Sequence, residues 1–239
     1  MLKNILKIIA IFIFGMAGWI FADQIFWPYF VERPLFYKYR LEQAPIYVTE
    51  KKEVVIQENT ALRNAVERVE KTVVGVKTKL KNGKILEGSG VIASSDGLIV
   101  TLANLVPTGS ETSFFWEGRA VPFQILKKDL KENLVLAKIA ETNLPTAGFA
   151  DLGRVSLGER VFLVGVVFEK GVTPKKTVNE GIIKNFSENS IQTNIFEKNT
   201  LAGSPLFNIE GNVLGLNTID QEGKVVTIPI SKVRAFIGF

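Results

Sequence analysis

Ile85-Leu86-Glu87-Gly88-Ser89-Gly90-Val91-Ile92-Ala93, then Ser94-Ser95-Asp96-Gly97, then Leu98-Ile99-Val100-Thr101-Leu102 is the stretch that decides the fold: two short runs rich in β-branched residues flank a turn ending in Asp-Gly. Apolar runs of about four to eight residues bounded by turn residues read as strands. Asp-Gly between such runs is a hairpin signal, because glycine supplies the positive φ that the turn needs. The pattern repeats outward. Residues 73–80 precede Asn82-Gly83, while 113–116, 121–126 and 134–139 follow, with Glu117-Gly118 between two of them. After a loop with Pro145 and Gly148 the rhythm resumes at 161–168, 177–186, 190–193, 205–208, 213–218 and 224–229. Each half thus supplies six strands. Short, evenly spaced strands with few helices indicate barrels or sandwiches rather than βαβ units. The expected class is all-β, two six-stranded antiparallel β-barrels over about residues 73–142 and 153–230 of a domain spanning 58–239. Ahead of them Leu62, Ala65, Val66 and Val69 share one face of a short amphipathic helix, which packs onto a barrel.

Composition narrows the chemistry. The chain has 239 residues with neither cysteine nor histidine. Lack of cysteine excludes disulfides, thiolate metal sites and thiol nucleophiles; lack of histidine excludes Ser-His-Asp, Cys-His and His-metal mechanisms. No cofactor and no metal is expected, and the balance leans toward binding. Net charge is +5, yet residues 58–239 hold 22 basic against 19 acidic side chains, with no block of Lys and Arg interleaved with aromatics. Nucleic acid is not expected as a partner. Gly88-Ser89-Gly90 reads as a strand turn and not a phosphate loop, since it opens no helix and lacks the further glycine and the lysine.

Residues 8–22 carry no charge and Lys7 can snorkel from the edge, so 5–22 gives 18 residues of workable spanning length. We read 1–24 as an uncleaved transmembrane anchor and 25–57, with its mixed charges, Pro34, Pro45 and a strand hint at 54–56, as a linker. A cleaved signal peptide competes, although Ile20 is bulky for the position three before a cleavage site at Ala22; a buried core helix is the third reading. Ile25-Phe26-Trp27-Pro28-Tyr29-Phe30 suits an interfacial aromatic belt. Lys3 and Lys7 place the N-terminus in the cytoplasm and the C-terminal domain outside it.

Six segments, in order, resemble trypsin-like serine proteases of the HtrA/Deg type. Gly88-Ser89-Gly90-Val91-Ile92 with Asp96-Gly97-Leu98-Ile99-Val100-Thr101 is similar to the approach to that family's catalytic histidine, and Asn133-Leu134-Val135-Leu136-Ala137-Lys138-Ile139 to the strand that opens with its aspartate. Ile191-Gln192-Thr193-Asn194, Gly203-Ser204-Pro205-Leu206-Phe207-Asn208 and Gly211-Asn212-Val213-Leu214-Gly215-Leu216-Asn217-Thr218 resemble the nucleophile region and the strands after it. Thr227-Ile228-Pro229-Ile230 resembles the last strand before a terminal helix. The resemblance implies paired six-stranded barrels with the site in the cleft between them. It also places Asn104 at the histidine position, Asn133 at the aspartate, Ala202 at the serine, Thr200 at the oxyanion-loop glycine and Leu201 at the family's asparagine.

On that alignment the triad is replaced, and a β-branched Thr200 disfavours the φ > 0 geometry a glycine permits. The expectation is a membrane-anchored, extracytoplasmic pseudoprotease, not an enzyme, which binds polypeptide or scaffolds envelope proteins. A weak hydrolase using Ser204 with a lysine base is one alternative. A structural subunit of an envelope complex is another. The chain stops at Phe239 directly after the terminal helix, so no PDZ domain is expected. The family also implies trimers through N-terminal aromatics, for which Phe26, Trp27, Tyr29, Phe30, Phe36 and Tyr37 are candidates beside their reading as an interfacial belt. An extended partner is expected to add to an edge strand near 221–226.

Overall fold

The computed structural model describes residues 2–31 and 58–238. The segment 32–57, which carries most of the expected linker along with Phe36 and Tyr37, lies outside the described residues. Two compact units, 1–55 and 56–239, divide the chain. In the first, helix α1 (Leu2–Ile20) runs on into wider π-helical turns over Phe21–Val31. Leu2–Trp27 is apolar and long enough to cross a membrane, with a mean hydropathy of 2.3 and none of its length buried.

The second unit begins with α2 (Glu58–Val69), whose Ala65 and Val69 are buried as the apolar stripe requires. Seven strands follow: β1 (Val73–Lys79), β2 (Ile85–Ile92), β3 (Leu98–Leu102), β4 (Glu111–Trp116), β5 (Arg119–Val121), β6 (Phe123–Asp129) and β7 (Leu134–Ile139). They form one antiparallel sheet in the order β5-β4-β1-β2-β3-β7-β6. The expected all-β trypsin-like class holds, with one refinement in this half. The run expected as one strand is two, parted at Pro122; β5 pairs with β4, β6 with β7, and no ladder joins β5 to β6. Proline fixes φ and bends the run there, while the Pro122 carbonyl accepts the Ala140 N–H at 3.1 Å. The bent run β5–β6 thus joins the two ends of the sheet through that one residue.

The second half keeps its expected count. β8 (Arg160–Val167), β9 (Lys175–Phe186), β10 (Ile191–Phe196), β11 (Pro205–Asn208), β12 (Val213–Ile219) and β13 (Lys224–Pro229) close into a barrel in the order β10-β13-β12-β11-β8-β9. α3 (Ile230–Ile237) then buries Ile230, Val233 and Phe236 and ends at Gly238 with φ 96°. Closure overturns the expected edge strand near 221–226: Val226 pairs with Thr218 on one side and Gln192 on the other, and Val225 is buried.

One apolar core runs through both halves. Val74, Ile99 and Phe114 from the first half belong to the same buried cluster as Phe162, Val164 and Phe207 from the second. Phe162 and Phe207 stack with ring centroids 5.3 Å apart. Each such side chain contributes roughly 1.5–3 kcal/mol on burial.

The halves are also joined by hydrogen bonds at Ser89 of β2. Its N–H donates to the Ala202 carbonyl at 2.9 Å, its Oγ accepts from Val166 N–H of β8 at 2.9 Å, and its carbonyl accepts from Thr101 Oγ1 at 2.6 Å. Ser89→Ala leaves the Val166 N–H without its acceptor in a fully buried setting. A buried donor stripped of its partner costs about 1–3 kcal/mol, so urea unfolding of the variant is expected to show a stability loss of that size.

Candidate functional site

Asn104 sits in the single 3₁₀ turn Ala103–Leu105 that follows β3. Its N–H donates to Asn133 Oδ1 at 2.9 Å, and the neighbouring Ala103 N–H donates to the Asn133 carbonyl at 3.0 Å. Asn133 adopts φ 55°, a left-handed conformation that asparagine tolerates better than most residues. The turn leading to it is set by Asp129, whose carboxylate accepts the N–H groups of Lys131 and Glu132 at 2.8 and 3.0 Å. Those backbone bonds, Glu132 foremost and Lys131 with it, hold the Asp129 carboxyl below its ordinary range. The Asn104 side chain is exposed and Asn133 is half-buried.

Leu105 carries this corner to the third position. A Cβ built on Gly88 would lie 2.4 Å from Leu105 Cδ1 and 2.6 Å from the Ala202 carbonyl oxygen, and one on Gly203 would lie 3.1 Å from the same Leu105 methyl. Leu105, next to Asn104, is thus wedged beside Ala202-Gly203. The chain reaches Ala202 through a 3₁₀ turn, Asn199–Leu201, in which Leu201 N–H donates to the Lys198 carbonyl at 2.9 Å and Ala202 N–H to that of Asn199 at 3.1 Å. Thr200, half-buried, lies inside this turn and is not among the residues with positive φ; Gly203 takes the positive value, 80°. The Ala202 donor is therefore taken up within the turn, and the Gly203 N–H goes to the Asn217 carbonyl at 2.7 Å. Side chains at 104, 133 and 202 offer two amides and a methyl, and no imidazole, carboxylate or hydroxyl.

Ser204 is fully buried. Its Oγ accepts from Asn217 Nδ2 at 3.1 Å, and Thr227 Oγ1 donates to Asn217 Oδ1 at 2.6 Å. Its partner is an amide and not an ammonium group, which lends no geometric support to a Ser204–lysine pair. Among the described residues no group of three or more acidic, histidine or cysteine side chains gathers as a metal site would require.

Beside the Asn199–Leu201 turn lies a recess of about 460 Å³, lined by Glu197, Lys198, Asn199, Ile219 and the β12–β13 turn from Asp220 to Gly223. Asn217 N–H and C=O face Ser204 and Gly203, Thr218 pairs with Val226, and Asp220 N–H returns to the Lys224 carbonyl at 3.1 Å. Backbone groups alternate sides along an antiparallel strand. Ile219 therefore turns its N–H and C=O away from β13, and β11, paired with β12 only up to Leu216, does not extend to meet them. The Asp220-Gln221-Glu222-Gly223 turn is the sequence signal that Ile219 ends its strand.

Residues 88–216, just over half of the chain, match the family described as "Trypsin-like peptidase domain". The chain is 31% identical over 152 residues to "Probable periplasmic serine endoprotease DegP-like" of Chlamydia pneumoniae, across 61% of this chain and 31% of that protein. It is 29% identical over 196 residues to "Serine protease HTRA1B" of Danio rerio, across 74% of this chain and 40% of that one. A crystal structure of the serine endoprotease from Yersinia pestis superposes with a TM-score of 0.65 at 26% identity, covering 74% of this chain and 65% of that chain. The chain spans about a third of the length of the curated relatives it matches. These likenesses correct the expectation that the chain is no enzyme. The relatives are named serine proteases, and that is the class to which the findings point.

The tight junction at Gly203 can be measured. Its built Cβ falls 2.2 Å from the Ser89 carbonyl oxygen at φ 80°, whereas Gly83 has the same φ with nothing within 4 Å. Left-handed backbone costs an L-residue roughly 1–2 kcal/mol. Gly83→Ala is expected to lose about that much by urea unfolding. Gly203→Ala, with the backbone collision added, is expected to lose clearly more.

Proposed function

The chain belongs to the trypsin-like peptidase domain family, of the HtrA/Deg type, and on that premise we propose that it holds extended polypeptide in the cleft beside the Asn199–Leu201 turn, as part of a membrane-anchored extracytoplasmic protein. In this reading Asn104, Asn133 and Ala202 occupy the three positions of the family's catalytic residues, and Thr200 that of the oxyanion loop. The observation that carries it is the open backbone rung at Ile219 above the recess. An extended segment adds to such a rung through main-chain hydrogen bonds, which need none of those three side chains. Glu197, Asp220 and Glu222 against Lys198 give the recess an acidic rim that suits a basic side chain on the bound segment.

Fluorescence anisotropy of a labelled unfolded casein with the full chain in detergent tests this. Ile219→Pro removes the outward donor and leaves the β12–β13 ladder in place; it is expected to weaken binding at least about tenfold, the order of a lost hydrogen bond with its desolvated partner. Electrophoresis of the same mixtures reports whether the casein is cut. Undiminished binding by Ile219→Pro sinks the proposal.

Anchoring rests on the apolar helix Leu2–Trp27 and on Lys3 and Lys7 at its start. Because the chain has no cysteine, Asn82→Cys in the exposed β1–β2 turn creates one labelling site. A membrane-impermeant thiol reagent is expected to label it in intact cells. Labelling only after lysis reverses the orientation.

A further inference from the structure

Charge is distributed unequally between the two ends of the first sheet. The β1–β2 turn, the stretch from Ala103 to Ser110 and the β6–β7 turn share one end, because Lys79 pairs with both Ile85 and Glu111, and Leu134 with both Leu102 and Asp129. At the opposite end Lys138 meets Asp96, Arg119 meets Glu141 at 3.0 Å and Lys176 meets Glu117 at 3.8 Å. At the first end Lys81, Lys84 and Lys131 make no ion pair among the described residues, and Lys128 Nζ donates to the Val106 carbonyl. The acids there are engaged: Glu111 with Lys79 at 3.8 Å, Glu132 with Lys232 at 3.0 Å, and Asp129 with the backbone of its own turn. Two aliphatic side chains stand in or beside the same turns, Leu130 at 77% exposure and Ile85 at 51%. Between the β1–β2 turn and the Pro107–Ser110 turn is a recess of about 270 Å³. Lys81 lies beside it, its Nζ 3.4 Å from where a Cβ on Gly109 would stand. Thr108 and Gly109 line it, and neither N–H has an acceptor among the described residues.

We infer that this end of the domain docks on an anionic lipid surface, its lysines against headgroup phosphates and Leu130 and Ile85 in the boundary beneath them. The inference rests on the membrane anchoring proposed above. Basic side chains beside exposed aliphatic ones are the composition of an interfacial contact. Each lysine near an anionic bilayer adds attraction that fades within a Debye length, about 8 Å at physiological salt. The unpaired amides of Thr108 and Gly109 beside Lys81 add two donors for a phosphate oxygen. An acidic polypeptide accounts for the lysines, but not for a leucine bared between Lys128 and Lys131 at a turn tip. A few charges and two aliphatic side chains hold a protein from solution only weakly and reversibly; an anchor supplies the second signal by keeping lipid at high local concentration.

The full chain reconstituted into vesicles tests this, with a fluorophore on Asn82→Cys in one sample and on Ser95→Cys, in the exposed β2–β3 turn at the opposite end of the sheet, in another. Brominated acyl chains are expected to quench the Asn82 label in vesicles containing phosphatidylglycerol and not in vesicles of phosphatidylcholine alone, and the Ser95 label in neither. Lys81→Gln and Lys84→Gln are each expected to lower the ratio of docked to free domain about fivefold, the scale of one lysine at such a surface, and to make it less sensitive to salt. Leu130→Ser is expected to lower the ratio while leaving its salt dependence as it was. Flotation with the phosphatidylcholine vesicles reports the anchor alone. A chain that floats there but shows no quenching at Asn82 in anionic vesicles overturns this inference and leaves the anchoring reading standing; a chain that floats with neither overturns both. Equal quenching at Asn82 and Ser95, or quenching that Lys81→Gln and Lys84→Gln leave unchanged, also overturns it. A response of the Asn82 label to inorganic phosphate or to a poly-glutamate peptide in detergent, with no quenching by lipid, assigns this end to a free anion or an acidic polypeptide and overturns the inference as well.

Discussion

Ser89 is the point on which the relation between the two halves turns. Its three backbone and side-chain polar groups are all engaged, one by Thr101 within its own half and two by β8 and Ala202 of the other. The apolar core around it is extensive but non-directional; burial alone would accept many mutual orientations of two barrels. Hydrogen bonds in a dry seam select among them, because any slip strands a buried donor. Glycines at 88 and 203 permit the approach, since a side chain on either would strike Leu105 or backbone oxygen. Position of the Ala202 loop against the first half is therefore fixed by a serine in a β-strand whose neighbours have no side chains.

Much of this was legible in the sequence. Turn residues and strand runs gave every strand of the closed barrel, and the Asp96-Gly97 hairpin emerges with Gly97 at φ 101°. What escaped was the bend that splits one run of the first half into two strands. Arg119-Ala120-Val121 is too short and too polar to stand out as a strand, and its role depends on β4 lying alongside. The bend at Pro122 is likewise set by two neighbours, since the run before it pairs with β4 and the run after it with β7.

The corner formed by Asn104 and Asn133 was reachable from motif order, because each motif fixes a position at the end of a strand. The details of Ala202 were not. That Thr200 sits in a 3₁₀ turn without a positive φ agrees with the steric preference of a β-branched residue, yet the capture of the Ala202 N–H by the Asn199 carbonyl is a property of the folded loop. The edge strand expected near Val225 failed for a topological reason. Whether a strand has a free side is decided by the strand that arrives last, and here β10 arrives to pair with β13.

A closed barrel has no true edge, so it can offer backbone to an extended partner only where one strand outruns its neighbour. β12 runs through Ile219, but β11 begins only at Pro205 and meets it no further than Leu216. β11 starts late because the chain before it is folded into the Asn199–Leu201 turn and then redirected at Gly203. The turn that carries Ala202 is thus the same feature that uncovers Ile219. Were residues 199–203 extended, β11 would be free to lengthen and seal the rung. Conformation of one short turn therefore controls both the backbone donors at Ala202 and the open ladder beside it, and the side chains at 104, 133 and 202 can change without closing the groove.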